Sequence, residues 1–197
     1  MQQRSEETIS QIMTAAIQQF SHSGYEAASV AEICAKAGVS KGAFYHHFPS
    51  KQELFLAIVD QWLQGIDTRL FSSRGKNETV PQSITRMAKT LGFVFQAASG
   101  QLPMFMEFMV QASRDQAVWD ATIAPYRRYQ QQFASLLEQG KAEGSIKPDM
   151  DIQAVSWSLL SLAIGILLQG VVDPQAADWD KVTKTGVQLI LDSIQKE

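Results

Sequence analysis

One stretch of the chain constrains its fold more than any other: residues 29–55 read SVAEICAKAGVSKGAFYHHFPSKQELF. Two short helical patterns lie on either side of Gly38-Val39-Ser40, and Pro49 ends the second of them. Ser50 then begins a longer helix. This spacing is typical of a helix-turn-helix, in which one helix supports a second that can enter the DNA major groove. It predicts a helix-turn-helix over about 28–47.

Two capping boxes set the frame of this stretch. Ser29 is followed three residues later by Glu32, and Ser50 is followed in the same way by Glu53. In a capping box the hydroxyl accepts one unbonded backbone N–H group, and the carboxylate accepts another. The pattern therefore predicts one helix that begins after Ser29 and a long helix, over about 51–70, that begins after Ser50.

The helix over about 41–47 carries the side chains of greatest chemical interest. Phe44 and Phe48 are four residues apart and can anchor the helix inward. Two small residues before them would let the backbone approach another surface closely, and the outward-facing side chains could contact phosphates and base edges. A solvated surface helix without a binding role is the alternative interpretation. The small residues are Gly42 and Ala43, and the outward-facing ones are Lys41, Tyr45 and His46.

The composition of the chain favours an all-helical protein. Of the 197 residues 45% are hydrophobic, and only six are proline and twelve are glycine. Apolar residues rarely alternate with polar ones, which favours helices over strands. The net charge is −3, and residues 1–51 contain as many acidic as basic groups. Any affinity for DNA must therefore come from a few groups placed on one face.

The sequence contains no pattern typical of an enzyme or of a metal site. We find no nucleophile–base pair, carboxylate dyad or phosphate-binding loop, so we expect no catalytic residues and no cofactor. His46 and His47 are adjacent, and neighbouring side chains on a helix point about 100° apart, so they are poorly placed to bind one metal ion. The single cysteine, Cys34, rules out an internal disulfide. The first residues lack the apolar run of a secretory signal, so we expect a cytoplasmic protein.

The remaining chain, over 66–197, shows further helical patterns. The stretch LPMFMEFMVQA, which begins at Leu102, is apolar nearly all round a helix. Such a helix either fills a core or lines a cavity, and both interpretations stay open. The segment over residues 152–172 includes no charged side chain and is long enough to span a membrane. Polar residues recur through this segment and acidic residues flank it, so a helix buried in a subunit interface explains it better than a membrane does.

Part of the N-terminal sequence resembles a known protein family. The stretch AASVAEICAKAGVSKGAFYHHFPSKQELF resembles the N-terminal domain of the TetR (tetracycline-repressor-like, TetR/AcrR) family of bacterial transcriptional regulators. The signature is a small hydroxyl residue that opens the second helix, followed by AGVSKGxFYxHFxSKxxLF. In that family the third helix enters the major groove. Residue by residue, the resemblance implies a groove-facing set of Lys41, Gly42, Ala43 and Tyr45 and a phosphate-facing set of Ser29, Ser40, His46, His47 and Lys51.

The resemblance also implies an architecture. A three-helix, helix-turn-helix DNA-binding domain over 5–65 would be joined, through the long fourth helix, to a helical ligand-binding and dimerisation domain over 66–197. Helices over about 151–172 and 178–195 would pair with their copies across a two-fold axis. The reading of a palindromic double-stranded DNA operator requires such a homodimer.

The expected function is that of a ligand-responsive transcriptional regulator, more specifically a repressor that a small-molecule inducer releases from DNA. The inducer is expected to be small and largely apolar, because Met and Phe side chains suit an adaptable pocket. The alternative is a helical protein-interaction module with weak DNA affinity, since the first part of the chain is not basic. The expected pocket residues are Trp62, Phe93, Phe105, Phe108 and Trp119.

Overall fold

The computed structural model describes residues 2–98 and 106–196, apart from positions 72–74, 76, 107 and 111. The side chains at positions 2–4, 66, 69, 91–98 and 117 also lie outside the described part. The described part is helical without a β-strand, which confirms the all-α prediction, and residues 106, 108–110 and 112 are helical too. The named helices are α1 (Gln2–Ser23), α2 (Val30–Ala37), α3 (Lys41–His47), α4 (Lys51–Leu70), α5 (Val80–Ala98), α6 (Gln116–Ala142), α7 (Ile152–Val172) and α8 (Trp179–Ile194).

Capping interactions bound α2 and α3 where the sequence predicts them. Ser29 Oγ accepts the N–H of Glu32 at 3.2 Å, and a Glu32 carboxylate oxygen accepts the N–H of Ser29 at 2.9 Å. Gly38 ends α2 with a φ of 68°, in the left-handed region that favours glycine. Ser40 Oγ accepts the N–H of Ala43 at 3.1 Å and so begins α3. The turn between the two helices therefore has local causes.

One compact unit of the chain combines Met1–Gln64 with Gly100–Ile123. The first of these segments ends one residue before the predicted domain boundary, whereas the sequence prediction assigns the second segment to the other domain. The difference arises from burial, because Phe108, Ala112 and Val118 lie in the same hydrophobic core as α1–α4. The largest other side chains buried in that core are Ile12, Phe20, Ile33, Phe44, Leu54 and Phe55.

The second compact unit combines Gly65–Ser99 with Ala124–Glu197. Within it α5 packs against α7 and α8, and α7 packs against α8. Near the end of α6, Gly140 lies so close to Ile146 that an added Cβ atom would come within 2.7 Å of the Ile146 side chain. Ile146 also forms an isolated antiparallel bridge with Gln195. The loop after α6 is therefore attached to the end of α8.

A proline lies inside α6, although proline usually kinks or ends a helix. In the structure α6 begins at Gln116 and continues through Pro125. Asp115 begins it, because its carboxylate accepts the N–H of Val118 at 3.2 Å and its carbonyl accepts the N–H of Trp119 at 2.8 Å. A good cap ahead of the proline thus allows the helix to form despite the one N–H group that proline lacks.

α7 is long and apolar enough to cross a membrane when only length and composition are considered. A single helix of this kind is weak grounds for a membrane span, because core and interface helices share its composition. In the single chain, only 28% of the most apolar 18-residue stretch of α7 is buried. An exposed apolar surface of this kind is typical of protein–protein interfaces. The exposed apolar side chains are Trp157, Ile164 and Val172 on α7 and Val182 and Leu189 on α8.

Candidate nucleic-acid interface

The helix α3 presents one face to the core and another to solvent. Phe44 is fully buried, and Phe48, whose N–H donates to the Phe44 carbonyl at 2.8 Å, is buried beside it. Tyr45 has 52% of its surface exposed. Its ring contacts the Phe44 ring edge-on, with the centroids 5.2 Å apart. The core therefore supports an aromatic side chain that remains accessible to a DNA groove.

The first turn of α3 offers a surface that another molecule can approach closely. Lys41 and Gly42 are exposed and Ala43 is half-buried. A Cβ atom on Gly42 would meet Ser40 Oγ at 3.7 Å, an ordinary contact distance, so the fold itself does not require glycine there. Glycine in a helix costs about 1 kcal/mol relative to alanine. Close approach of the backbone to a ligand surface would explain that cost.

The two histidines lie at the C-terminal end of α3. His46 is exposed, His47 is half-buried, and their ring centroids are 4.9 Å apart. Imidazole N–H groups at such a position can donate to phosphate oxygens and so hold a protein in register on DNA. Among the residues that the structure describes, no group of three or more His, Cys, Asp or Glu side chains could hold a metal ion.

The two candidate serines differ in the bonds that their hydroxyls already make. Ser29 Oγ donates to the Glu32 carboxylate at 2.7 Å and accepts the Glu32 N–H. The side-chain bond first, and the backbone bond from Ser29 second, lower the pKa of Glu32. An ionised carboxylate beside Ser29 opposes the approach of a phosphate. Ser40 Oγ accepts from Ala43, which leaves its O–H able to donate to a phosphate oxygen.

Lys51 lies differently from the expected phosphate contact. Its ammonium donates to the backbone carbonyls of Tyr25, Glu26 and Ala28, in the segment between α1 and α2. It also lies 4.5 Å from the centroid of the Tyr25 ring. An ammonium has three N–H donors, and here three carbonyls accept from it. The geometry therefore supports a role inside the first unit rather than at a phosphate.

The structure describes three of the five expected pocket residues. Phe108 is 1% exposed and fills the core of the first unit, which leaves little of its surface for a ligand. Trp119 is partly buried and packs against the same core. Trp62 is half-buried on α4, and its indole nitrogen is buried without a hydrogen-bond partner in the described part of the chain. Phe105 and the side chain of Phe93 lie outside the described residues.

One feature of the second unit escapes sequence reasoning. Arg128 Nη2 on α6 lies 3.1 Å from Asp67 Oδ2 on α4. The neighbouring Tyr129 has a raised pKa, mainly because it is buried and secondly because it is hydrogen-bonded to Asp67. The two charged residues are 61 positions apart in the chain, so no local pattern could pair them. The pair joins the end of α4 to the middle of α6.

Two family descriptions match the chain. Residues 12–58 match "Bacterial regulatory proteins, tetR family", and residues 86–193 match "BetI-type transcriptional repressor, C-terminal". The HTH-type transcriptional regulator UidR of Escherichia coli (strain K12) is 29% identical over 167 residues, which cover 85% of this chain and 83% of that protein. The A-factor receptor protein of Streptomyces griseus is 27% identical over 180 residues, which cover 90% of this chain and 60% of the receptor.

Solved structures share the whole fold. Salmonella enterica GusR has a TM-score of 0.74 at 22% identity, with 94% of this chain and 95% of that chain covered. The SmeT–triclosan complex has a TM-score of 0.79 at 21% identity, with 96% and 92% covered. The matched family regions include both the capped helix-turn-helix and most of the second unit. The chain therefore belongs to the tetR family of bacterial regulatory proteins and is a DNA-binding regulator of transcription.

Proposed function

We propose that this regulator is a repressor that binds a palindromic DNA operator as a homodimer and leaves it when a small molecule binds. The geometry of α3 carries the proposal. Phe44 and Phe48 hold the helix on the core, Tyr45 is exposed, and Gly42 keeps the first turn small where the fold has room for a side chain. Such a helix can enter a major groove and contact base edges.

The proposed DNA contacts follow from exposure and from unused donors. Exposed groups on the first turns of α3 would face base edges, and donors at its two ends would face phosphates. Ser29 and Lys51 would support this surface through their bonds inside the first unit, rather than touch DNA. The groove-facing set is Lys41, Gly42, Ala43 and Tyr45, and the phosphate-facing set is Ser40, His46 and His47.

The homodimer is proposed to form through α7 and α8. Both helices leave large apolar side chains exposed in a single chain, among them Trp157 and Leu189. Burying that surface against its own copy would remove it from water. A two-fold axis would also present two copies of α3 to half-sites about 34–36 Å apart on one face of the duplex. Dimerisation and DNA reading therefore support each other.

The inducer is proposed to be small and largely apolar, and the protein is proposed to be cytoplasmic. The solved SmeT–triclosan complex supports a small-molecule ligand for this fold. Trp62, with its buried and unpartnered indole nitrogen among the described residues, is the candidate contact that the structure favours most. A coupling free energy of ~1–3 kcal/mol between inducer and DNA would suffice for regulation.

DNA selection tests the DNA-reading part of the proposal. The full chain is incubated with a randomised duplex library at about 150 mM salt, and retained duplexes are sequenced and tested by gel shift. Palindromic duplexes with half-sites about one helical turn apart are expected. Failure to retain any duplex at micromolar protein would contradict DNA reading and favour a protein-interaction module.

A small-molecule screen tests the inducer. Compounds that raise the melting temperature of the protein are added to its complex with the selected duplex. Largely apolar compounds are expected both to stabilise the protein and to release the duplex. If the only stabilising compounds were highly charged, or if none released the duplex, the proposed inducer class would be wrong.

A further inference from the structure

Lys51 makes an unusual set of contacts for a surface lysine. It is the first residue of α4, and its Nζ donates to the carbonyl oxygens of Tyr25 at 2.7 Å, Ala28 at 2.9 Å and Glu26 at 3.1 Å. The face of the Tyr25 ring lies 4.5 Å away. Three convergent carbonyls match the three donors of an ammonium. These are charge-assisted bonds, which are stronger than neutral ones.

The three carbonyls and Lys51 lie at opposite ends of the helix-turn-helix in the sequence. The carbonyls belong to residues 25–28, which lie directly before Ser29, the cap of α2. Lys51 lies shortly after Phe48, the cap that ends α3. One side chain therefore joins the segment that enters the helix-turn-helix to the segment that leaves it. Residues 29–50 form a loop whose two ends are held at one point.

We propose that Lys51 is a positioning residue, which clamps both ends of the helix-turn-helix to the start of α4 and does not contact a DNA phosphate. With the clamp in place, a displacement of the start of α4 moves α2 and α3 together. Without it, the start of α4 loses its direct bond to the segment before α2, and α4 is held to α3 by the chain segment 48–50 and by their shared hydrophobic core. The inference rests on the proposed reading of DNA by α3 and goes beyond it.

The chemistry of the site makes lysine specific. A guanidinium is a planar fork whose donors diverge, so Lys51→Arg would keep the charge but could not direct three donors at three convergent carbonyls. Lys51→Met would keep most of the length and remove the donors. A phosphate contact would behave in the opposite way, because arginine binds phosphate at least as well as lysine. The two substitutions therefore separate the two roles.

Binding of the selected duplex is measured for the full-length wild type, Lys51→Met and Lys51→Arg over a range of salt concentrations. We expect both variants to bind about tenfold more weakly. The loss of one phosphate contact would change the slope of log K against log salt by ~0.9. For Lys51→Met we expect a change of less than about half that value. Wild-type affinity in Lys51→Arg, or a full ~0.9 loss of slope in Lys51→Met, would overturn the proposal.

Two further measurements separate positioning from general loss of stability. Val59→Ala, which removes packing from the hydrophobic core of the first unit, is the control for loss of stability. It should retain wild-type affinity at a temperature where this variant and both Lys51 variants are folded. Amide exchange at residues 25–29 should accelerate in both Lys51 variants and not in the control. Equal loss of affinity in Val59→Ala, or unchanged exchange in the Lys51 variants, would overturn the clamp. If wild type retained no duplex, the proposed function would fail, while amide exchange would still test the clamp.

Discussion

The ring of Phe108 stacks on the ring of Phe55, with centroids 3.9 Å apart and planes inclined by 18°. Phe55 lies on α4, whereas Phe108 comes from a helical segment more than fifty positions later. Both rings also contact Tyr25 edge-on, at 5.2 and 5.1 Å between centroids. A distant part of the chain thus completes the core that supports α3, the helix proposed to read DNA.

Phe108→Ala is expected to destabilise the first unit. Truncation removes the stacked ring and leaves a cavity between Phe55 and Tyr25, which costs about 3–5 kcal/mol for a buried phenylalanine. The free energy of unfolding from a urea titration measures the effect. Met106→Ala, at an exposed position of the same segment, is the control and should stay within ~0.5 kcal/mol of wild type. Equal effects at both positions would contradict the placement of Phe108 in the core.

Tyr45→Ala is expected to weaken binding of the selected duplex by about 1–3 kcal/mol and to leave stability within ~0.5 kcal/mol of wild type. The physical reason is that about half of the Tyr45 side chain is exposed to solvent, although its ring contacts the buried Phe44 ring. Gel shift and urea titration measure the two quantities. Phe44→Ala is the control and should instead lose about 3–5 kcal/mol of stability. A large loss of stability in Tyr45→Ala would show that this ring is structural.

Leu189→Arg is expected to convert the protein from a dimer to a monomer. Leu189 is exposed on α8 in one chain, and a charge there would have to be desolvated in the proposed interface. Sedimentation equilibrium should give about twice 21.8 kDa for wild type and about 21.8 kDa for the variant. Val110→Arg introduces the same charge at an exposed apolar position in the first unit and should remain dimeric. A monomeric wild type would refute the interface.

Glu32 is expected to stabilise the first unit in a pH-dependent way. Its pKa is lowered by the bonds from Ser29, so the folded state binds a proton less readily than the unfolded state. The stabilisation is therefore present above the ordinary pKa of 4.5 and is lost as pH falls through the lower folded-state pKa. Urea titrations of wild type and Glu32→Gln at several pH values test this. Their difference should be constant near neutral pH and shrink in acid, whereas a difference that grew in acid would contradict the assignment.

The helix-turn-helix could be predicted because each of its signals is local. The capping box at Ser29 and Glu32 spans three residues, and Gly38 adopts the left-handed conformation that its position suggests. The bounds of α3, α4, α7 and α8 follow from similar short-range signals. Local signals conflict around α6, because the cap at Asp115 favours a helix start while Pro125, inside the same helix, is a breaking signal.

Long-range contacts were harder to predict than helices. Lys51 has the sequence context of a phosphate contact in the family it resembles, yet its donors are used by carbonyls about 25 positions earlier. Phe108 belongs to a segment whose sequence suits a core or a cavity wall equally well. Periodicity describes one helix and carries no information about the surface on which that helix packs.

By itself, the sequence determined the helical class, the capped frame of the helix-turn-helix and the exposed side of α3, because these depend on interactions within a few residues. Only the tertiary structure decided that Gly100–Ile123 joins the first unit, that Phe108 meets Phe55, and that Lys51 faces the segment before α2. Those partners are far apart in the chain, so their contacts arise from the packing of complete elements and leave no local pattern in the sequence.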